Sequence, residues 1–149
     1  MEMATCARGR AACLVIRKAM NSASTTSRRR ILVVDDEPYV GRIIQLKLEQ
    51  SPYEVDVVQD GRTALERLRT PLPIDLVLLD VVLPGASGLE VLEAIRRLPH
   101  RANTPVIMLT AKGQEADRDR AIELGATDFL TKPFSPMKLL GRIDALFAN

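Results

Sequence analysis

Ile31-Leu32-Val33-Val34-Asp35-Asp36-Glu37-Pro38 is the stretch that decides the fold. Four branched aliphatic residues in a row, with no alternation, describe a strand covered on both faces. The run stops at three acids and a proline, and a proline suits the first turn of a helix, where its missing N–H costs nothing. Val40, Ile43, Ile44 and Leu48 then recur at helical spacing. A doubly buried strand leading straight into a helix opens a parallel sheet, because helices are what cover such a sheet.

The same alternation continues to the C-terminus. Residues 55–58, 74–79, 106–109 and 128–131 read as four more strands, the second weakened by Asp56 and the third and fourth preceded by Pro73 and Pro105. Asp60-Gly61 opens a helix carrying Ala64, Leu65 and Leu68. Ser87 and Glu90 have the spacing of a capping box ahead of Leu89, Leu92 and Ile95. Gly125 is placed to close a fourth helix, and Ser135-Pro136 starts a fifth whose Leu139, Leu140, Ile143, Leu146 and Phe147 share one stripe. No strand alternates strictly between apolar and polar, which excludes sandwiches and barrels. The expectation is an α/β fold, a doubly wound five-stranded parallel sheet with five helices on its two faces.

In such sheets, sites form beyond the carboxyl ends of the strands. Those ends carry Asp35 and Asp36 after the first strand, Asp80 after the third, Thr110 after the fourth and Lys132 just past the fifth. Three clustered carboxylates repel one another unless a cation sits among them. Oxygen-only ligands with room for water suit Mg²⁺, which also binds phosphate oxygens. A carboxylate can attack phosphorus and form an aspartyl phosphate. Lys132 is then suited to pair with the phosphoryl oxygens, and Thr110 to donate a hydrogen bond to them. Taken singly, Asp36 could cap the helix that follows, Thr110 could bond to backbone, and Lys132 could be a solvated surface charge. Their joint arrival at one end of the sheet carries the reading.

Bulk properties limit the alternatives. The chain has 149 residues, 46% of them hydrophobic, which is enough for one domain with a real core. Aromatics are 3% with no Trp, too few for a surface that stacks bases. The net charge of +2 is unevenly spread: residues 1–30 hold seven basic residues and one acid, leaving residues 31–149 at −4. An acidic domain gains nothing from counterion release, so direct contact with nucleic acid is not expected. The domains expected are therefore a basic, disordered extension over residues 1–29 and a folded unit over residues 30–149. The apolar run at residues 11–16 is too short to span a bilayer, and no membrane association is expected. The head resembles an organellar transit peptide in composition, or translation begins at Met20. Cys6 and Cys13 lack a supporting His or Cys cluster and read as free thiols of a reducing, cytoplasmic compartment.

The sequence resembles the response-regulator receivers of two-component signalling. The residues that carry the resemblance are residues 31–38 as quoted above, then Leu78-Leu79-Asp80-Val81-Val82-Leu83-Pro84 with Gly88-Leu89-Glu90, Leu109-Thr110-Ala111, Gly125-Ala126 and Lys132-Pro133-Phe134. It implies a flavodoxin-like receiver with strand order 2-1-3-4-5, and a phosphorylation switch rather than a turnover enzyme. Asp80 would accept the phosphoryl group of a sensor histidine kinase. Asp35, Asp36 and Asp80 would hold Mg²⁺ together with the backbone carbonyl of Val82. Thr110 and Lys132 would sense the phosphoryl group, Phe129 would be the aromatic switch residue, and the Lys132–Pro133 peptide would be cis. Ser87 stands where the family often has Asp, and Phe129 lacks a tyrosine hydroxyl. Val82 and Lys112 occupy positions resembling those that govern access of hydrolytic water. A haloacid-dehalogenase reading fails, since it needs an Asp two residues after the nucleophile of the first strand, and that position is Glu37. A flavodoxin-type phosphate loop fails because Asp35-Asp36-Glu37 would repel phosphate.

Glu115-Ala116-Asp117-Arg118-Asp119-Arg120 reads either as a solvated helix face laced with ion pairs or as a homodimerisation face with Asp128, Lys138, Arg142 and Asp144. The stretch from Leu124 to Pro136 resembles the subfamily fused to winged-helix DNA-binding domains. The chain reads as a single-domain regulator that signals by docking, or as the receiver portion of such a transcription factor.

Overall fold

A computed structural model describes residues 28–111 and 115–148. Readings of Cys6, Cys13, residues 11–16, Met20 and Lys112 fall outside the described residues. In chain order the elements are β1 (Arg29–Val34), α1 (Pro38–Glu49), β2 (Tyr53–Val58), α2 (Gly61–Arg69), β3 (Leu76–Asp80), α3 (Gly88–Arg97), β4 (Val106–Ala111), α4 (Glu115–Glu123), β5 (Asp128–Lys132) and α5 (Pro136–Phe147). All strand pairs are parallel and the order is β2-β1-β3-β4-β5, as the sequence led us to expect.

Successive side chains of a strand point to opposite faces, and the unbroken apolar runs of the central strands therefore feed two cores. Leu32, Val34, Val77, Leu79, Val106 and Met108 meet α2, α3 and α4 through Leu68, Leu92, Ile95 and Ala121. Ile31, Val33, Leu76, Leu78, Ile107 and Leu109 meet α1 and α5 through Ile44, Leu48, Leu139 and Ile143. Each such fully buried Leu or Ile contributes about 2 kcal/mol of burial free energy. On α1 the buried apolar side chains are Ile44 and Leu48, while Ile43 is 37% exposed, at the rim of the expected stripe.

The edge strand β2 departs from the expectation that no strand alternates. Tyr53, Val55 and Val58 are buried while Glu54 is exposed and Asp56 half-buried. As an outer strand it has a wet side, and Arg30 of β1 lies close by, meeting Glu54 at 2.9 Å and Asp56 at 3.3 Å. Asp56 thus pairs across the sheet edge without breaking the strand. β1 starts two residues ahead of the apolar run and β3 two residues later than expected. The early start of β1 comes from its pairing with β2, where Arg29 lies beside Tyr53 and Arg30 beside Glu54. The late start of β3 traces to Asp75, whose N–H donates to the Arg30 carbonyl at 2.8 Å while its carboxylate accepts the Arg30 N–H at 2.8 Å. A side-chain oxygen there replaces the ladder carbonyl and ends the pairing.

Caps follow the sequence signals. Asp60 accepts the Thr63 N–H at 2.7 Å, Ser135 accepts that of Lys138 at 3.2 Å, and Ser87 with Glu90 forms both bonds of a capping box. Gly125, at φ +91°, closes α4. Among the described residues, no helix is long and apolar enough to cross a membrane.

Candidate functional site

Strand register assembles the site. Val34 lies beside Leu79, Asp80 beside Leu109, Thr110 beside Thr131 and Ala111 beside Lys132. The residues that end β1, β3, β4 and β5 therefore converge on one edge of the sheet. Lys132 is the last residue of β5, not one beyond it.

Asp35 is fully buried, Asp80 is 7% exposed, and Asp36 faces solvent. One carboxylate oxygen from each lies within 4.8 Å of the others. Lys132 Nζ donates to Asp80 at 2.8 Å, to Asp35 at 2.9 Å and to Glu37 at 3.4 Å. Buried like charges repel strongly, and this ammonium offsets them. Burial pushes the Asp80 carboxyl above the usual range, outweighing the Lys132 contact, and the charge of Asp35 adds to the rise. Burial alone would lower the Lys132 ammonium, but its bonds to Asp80 and Asp35 together hold it above its ordinary value. Asp80 also accepts the Val82 N–H at 3.2 Å, which orients its second oxygen.

Asp36 does not cap α1. The helix begins at Pro38 with Glu37 at the N-cap position and no side-chain cap, and Asp35 accepts the Glu37 N–H at 2.9 Å instead. That bond fixes the Asp35 carboxylate and leaves Asp36 pointing outward. The loop after β3 is held against the site because residue 88 is glycine. A Cβ there would sit 2.0 Å from the Asp80 carbonyl oxygen, while the Gly88 N–H donates to the Val81 carbonyl at 2.9 Å. Val82 is 59% exposed beside Asp80. Thr110 is buried, and its hydroxyl donates to the Leu130 carbonyl at 3.5 Å. The Lys132–Pro133 peptide is cis. Phe129 is half-buried, with the Arg118 guanidinium 5.2 Å from its ring centre.

On the α4–β5–α5 face, Arg142 bonds Asp128 at 2.7 Å and the Phe129 carbonyl at 3.2 Å. Arg118, Lys138 and Arg142 line one cleft with Phe129, and Arg120 pairs with Glu123 along α4 at 3.4 Å. Asp144 is not on this face. Two residues on from Arg142 is about 200° around a helix, and its carboxylate accepts the Tyr53 hydroxyl at 2.6 Å on the far side. Two features escaped the sequence. Glu37 is a third partner of Lys132, signalled only by its place beside two acids. Arg101 is buried at the opposite end of the sheet, and no motif marks it.

The family model described as the response regulator receiver domain matches residues 31–144. The phosphate regulon transcriptional regulatory protein PhoB of Klebsiella pneumoniae is 45% identical over 118 residues, which are 79% of this chain and 51% of that protein. The alkaline phosphatase synthesis transcriptional regulatory protein PhoP of Bacillus subtilis is 43% identical over 118 residues, 79% of this chain and 48% of the relative. The chain thus spans about half the length of the curated relatives it matches. Among solved structures, the chemotaxis response regulator CheY4 of Vibrio cholerae superposes with a TM-score of 0.75 at 30% identity, over 80% of this chain and 99% of that one. The BeF3-activated DrrB receiver domain gives 0.73 at 32% identity, over 82% and 99%. With the doubly wound sheet, the acidic strand ends and these matches together, the chain belongs to the response regulator receiver domain family.

Proposed function

We propose that the unit over residues 30–149 is a phosphorylation switch and that Asp80 is its acceptor. The observation that supports this best is the convergence of Asp80, Asp35 and Lys132 within 2.9 Å contacts at the carboxyl edge of a parallel sheet. A carboxylate oxygen of Asp80 forms the new O–P bond, the N–P bond of a sensor kinase's phosphohistidine breaks, and the imidazole nitrogen leaves with the electron pair. Lys132 shifts from the carboxylates to the incoming phosphoryl oxygens, and the Thr110 hydroxyl exchanges the Leu130 carbonyl for another of them. Phe129, next along β5 from Asp128, carries the change towards the α4–β5–α5 face.

The donor set fits Mg²⁺. Three carboxylates with oxygens within 4.8 Å and a solvent-facing Asp36 give hard oxygen ligands with room for water. Asp35, Asp36, Asp80 and the Val82 carbonyl would hold the ion. Bound there, it would offset the negative charge gathered around the phosphoryl group.

Incubation with acetyl phosphate and Mg²⁺ should add one phosphoryl group, read by intact mass, and Asp80→Asn should abolish it. Phosphoryl incorporation at an unchanged site in that variant would refute the assignment. The unit acts as a switch rather than a turnover enzyme, in the cytoplasm, and answers a histidine kinase. The printed names of its relatives as transcriptional regulatory proteins favour a second reading, in which it is the receiver portion of a DNA-binding regulator. Its homodimer would then use α4, Asp128 and Arg142. Arg142→Glu should remove phosphorylation-dependent dimers in sedimentation, and their persistence would place the interface elsewhere.

A further inference from the structure

At the end of the sheet opposite Asp80, the connections α2–β3 and α3–β4 line an open cleft of about 550 Å³. Arg101 lines it and is only 4% exposed. Its Nε donates to the Leu68 carbonyl at 2.9 Å, and Nη2 donates to those of Thr70 at 2.8 Å and Leu72 at 2.5 Å. Among the described residues Nη1 has no hydrogen bond, and no carboxylate lies within ion-pair distance of the guanidinium. Burial pushes its pKa down, and the carbonyls that meet it at the end of α2 bring dipoles but no full negative charge. A buried charge without a counter-ion is costly unless an anion arrives to meet it.

The rest of the wall has matching chemistry. His100 turns Nε2 to the carbonyls of Leu68 at 3.0 Å and Thr70 at 3.2 Å. Two acceptors place the hydrogen on Nε2, so Nδ1 is the nitrogen left for a ligand. Arg69 is exposed on the cleft rim and forms no ion pair among the described residues. Asp75 is the one acid on the wall, and its Oδ2 is already engaged by the Arg30 N–H at 2.8 Å. Pro71 and Leu72, the latter 46% exposed, give an apolar side.

We propose that this cleft binds a small organic phosphate monoester. The phosphate meets Arg101 Nη1, Arg69 and His100, because guanidinium forks match phosphate oxygens. The ester's body lies on Pro71 and Leu72. The site shares no residue with the acidic cluster, so its ligand is an effector and not the phosphoryl donor.

The test is titration of the full chain with phenyl phosphate, and separately with inorganic phosphate, in EDTA and in the Asp80→Asn background. The amide and ring resonances of residues 100–104 report binding by NMR. The strand-end site is disabled in these samples, so the outcome is independent of the proposed phosphotransfer. Phenyl phosphate should perturb these resonances saturably, and Arg69→Ser and His100→Asn, both on the rim, should each weaken binding about tenfold. Arg101→Lys, which keeps charge but loses the fork, should weaken it further. No saturable shift at ~10 mM ligand, weaker than any specific affinity, would overturn the proposal, as would binding unchanged by both rim substitutions. Equal affinity for inorganic phosphate would overturn the assignment to an ester.

Discussion

Replacing Lys132 by Met removes the cation that touches Asp35, Glu37 and Asp80 while keeping most of the side-chain volume. At an effective dielectric near 20, a unit pair about 2.8 Å apart is worth roughly 6 kcal/mol, so the two short contacts supply about 12 kcal/mol of gross attraction. Repulsion between two carboxylates at the 4.8 Å limit of the cluster takes back roughly 3.5 kcal/mol. Desolvation of the three charges consumes most of the remainder, at several kcal/mol per ion. Removing one partner of a buried pair leaves the others uncompensated, which costs about 3–5 kcal/mol. The lower end applies here, since Lys132 is 20% exposed and water reaches Asp36. Urea denaturation in EDTA at neutral pH should therefore show Lys132→Met less stable by about 3 kcal/mol. Adding Asp80→Asn to that variant removes one of the stranded charges and should restore at least ~1 kcal/mol. A loss below about 1 kcal/mol, the range of exposed pairs, would refute the view that Lys132 holds a buried acidic cluster together. So would an Asp80→Asn change with the same effect in both backgrounds.

Gly88→Ala forces a Cβ to 2.0 Å from the Asp80 carbonyl and should lower the denaturation midpoint by more than ~2 kcal/mol equivalent. Mg²⁺ at ten times its dissociation constant should add about 1.4 kcal/mol of stability, and Asp36→Asn should shrink that gain in thermal scans. Tyr53 is pushed up to about 12 by burial and then by its bond to Asp144. The folded state keeps the phenolic proton longer than the unfolded chain, so this contribution is intact below the ordinary value of 10.0 and is lost as pH rises from there through about 12. Tyr53→Phe should flatten that alkaline loss in pH-dependent denaturation and cost about 1 kcal/mol at neutral pH. Ser87→Ala should cost about 1 kcal/mol by breaking the capping box, read by denaturation.

The sheet was legible in the sequence because its signals are local. Unbroken, β-branched apolar runs at residues 31–34 and 106–109, bounded by acids or proline, read as strands buried on both faces, and a strand buried that way forces helices onto both sides. The gathering of the candidate residues at one edge was legible for the same reason, since Asp80 and Thr110 each follow such a run. Tertiary structure decided what depends on residues distant in the chain. Asp75 could end the ladder only because Arg30 arrived beside it, 45 positions away. Asp144 left the charged face it shares in sequence because the helix turned it to Tyr53, 91 positions away. Glu37 joined Lys132 across 95 positions, and Arg101 became a buried cation because α2 ended in carbonyls above it. A sequence records which groups are present and their periodicity. Whether a charge is paired, stranded or solvated is settled when the chain closes, since desolvation and Coulomb attraction depend on distances that only packing sets.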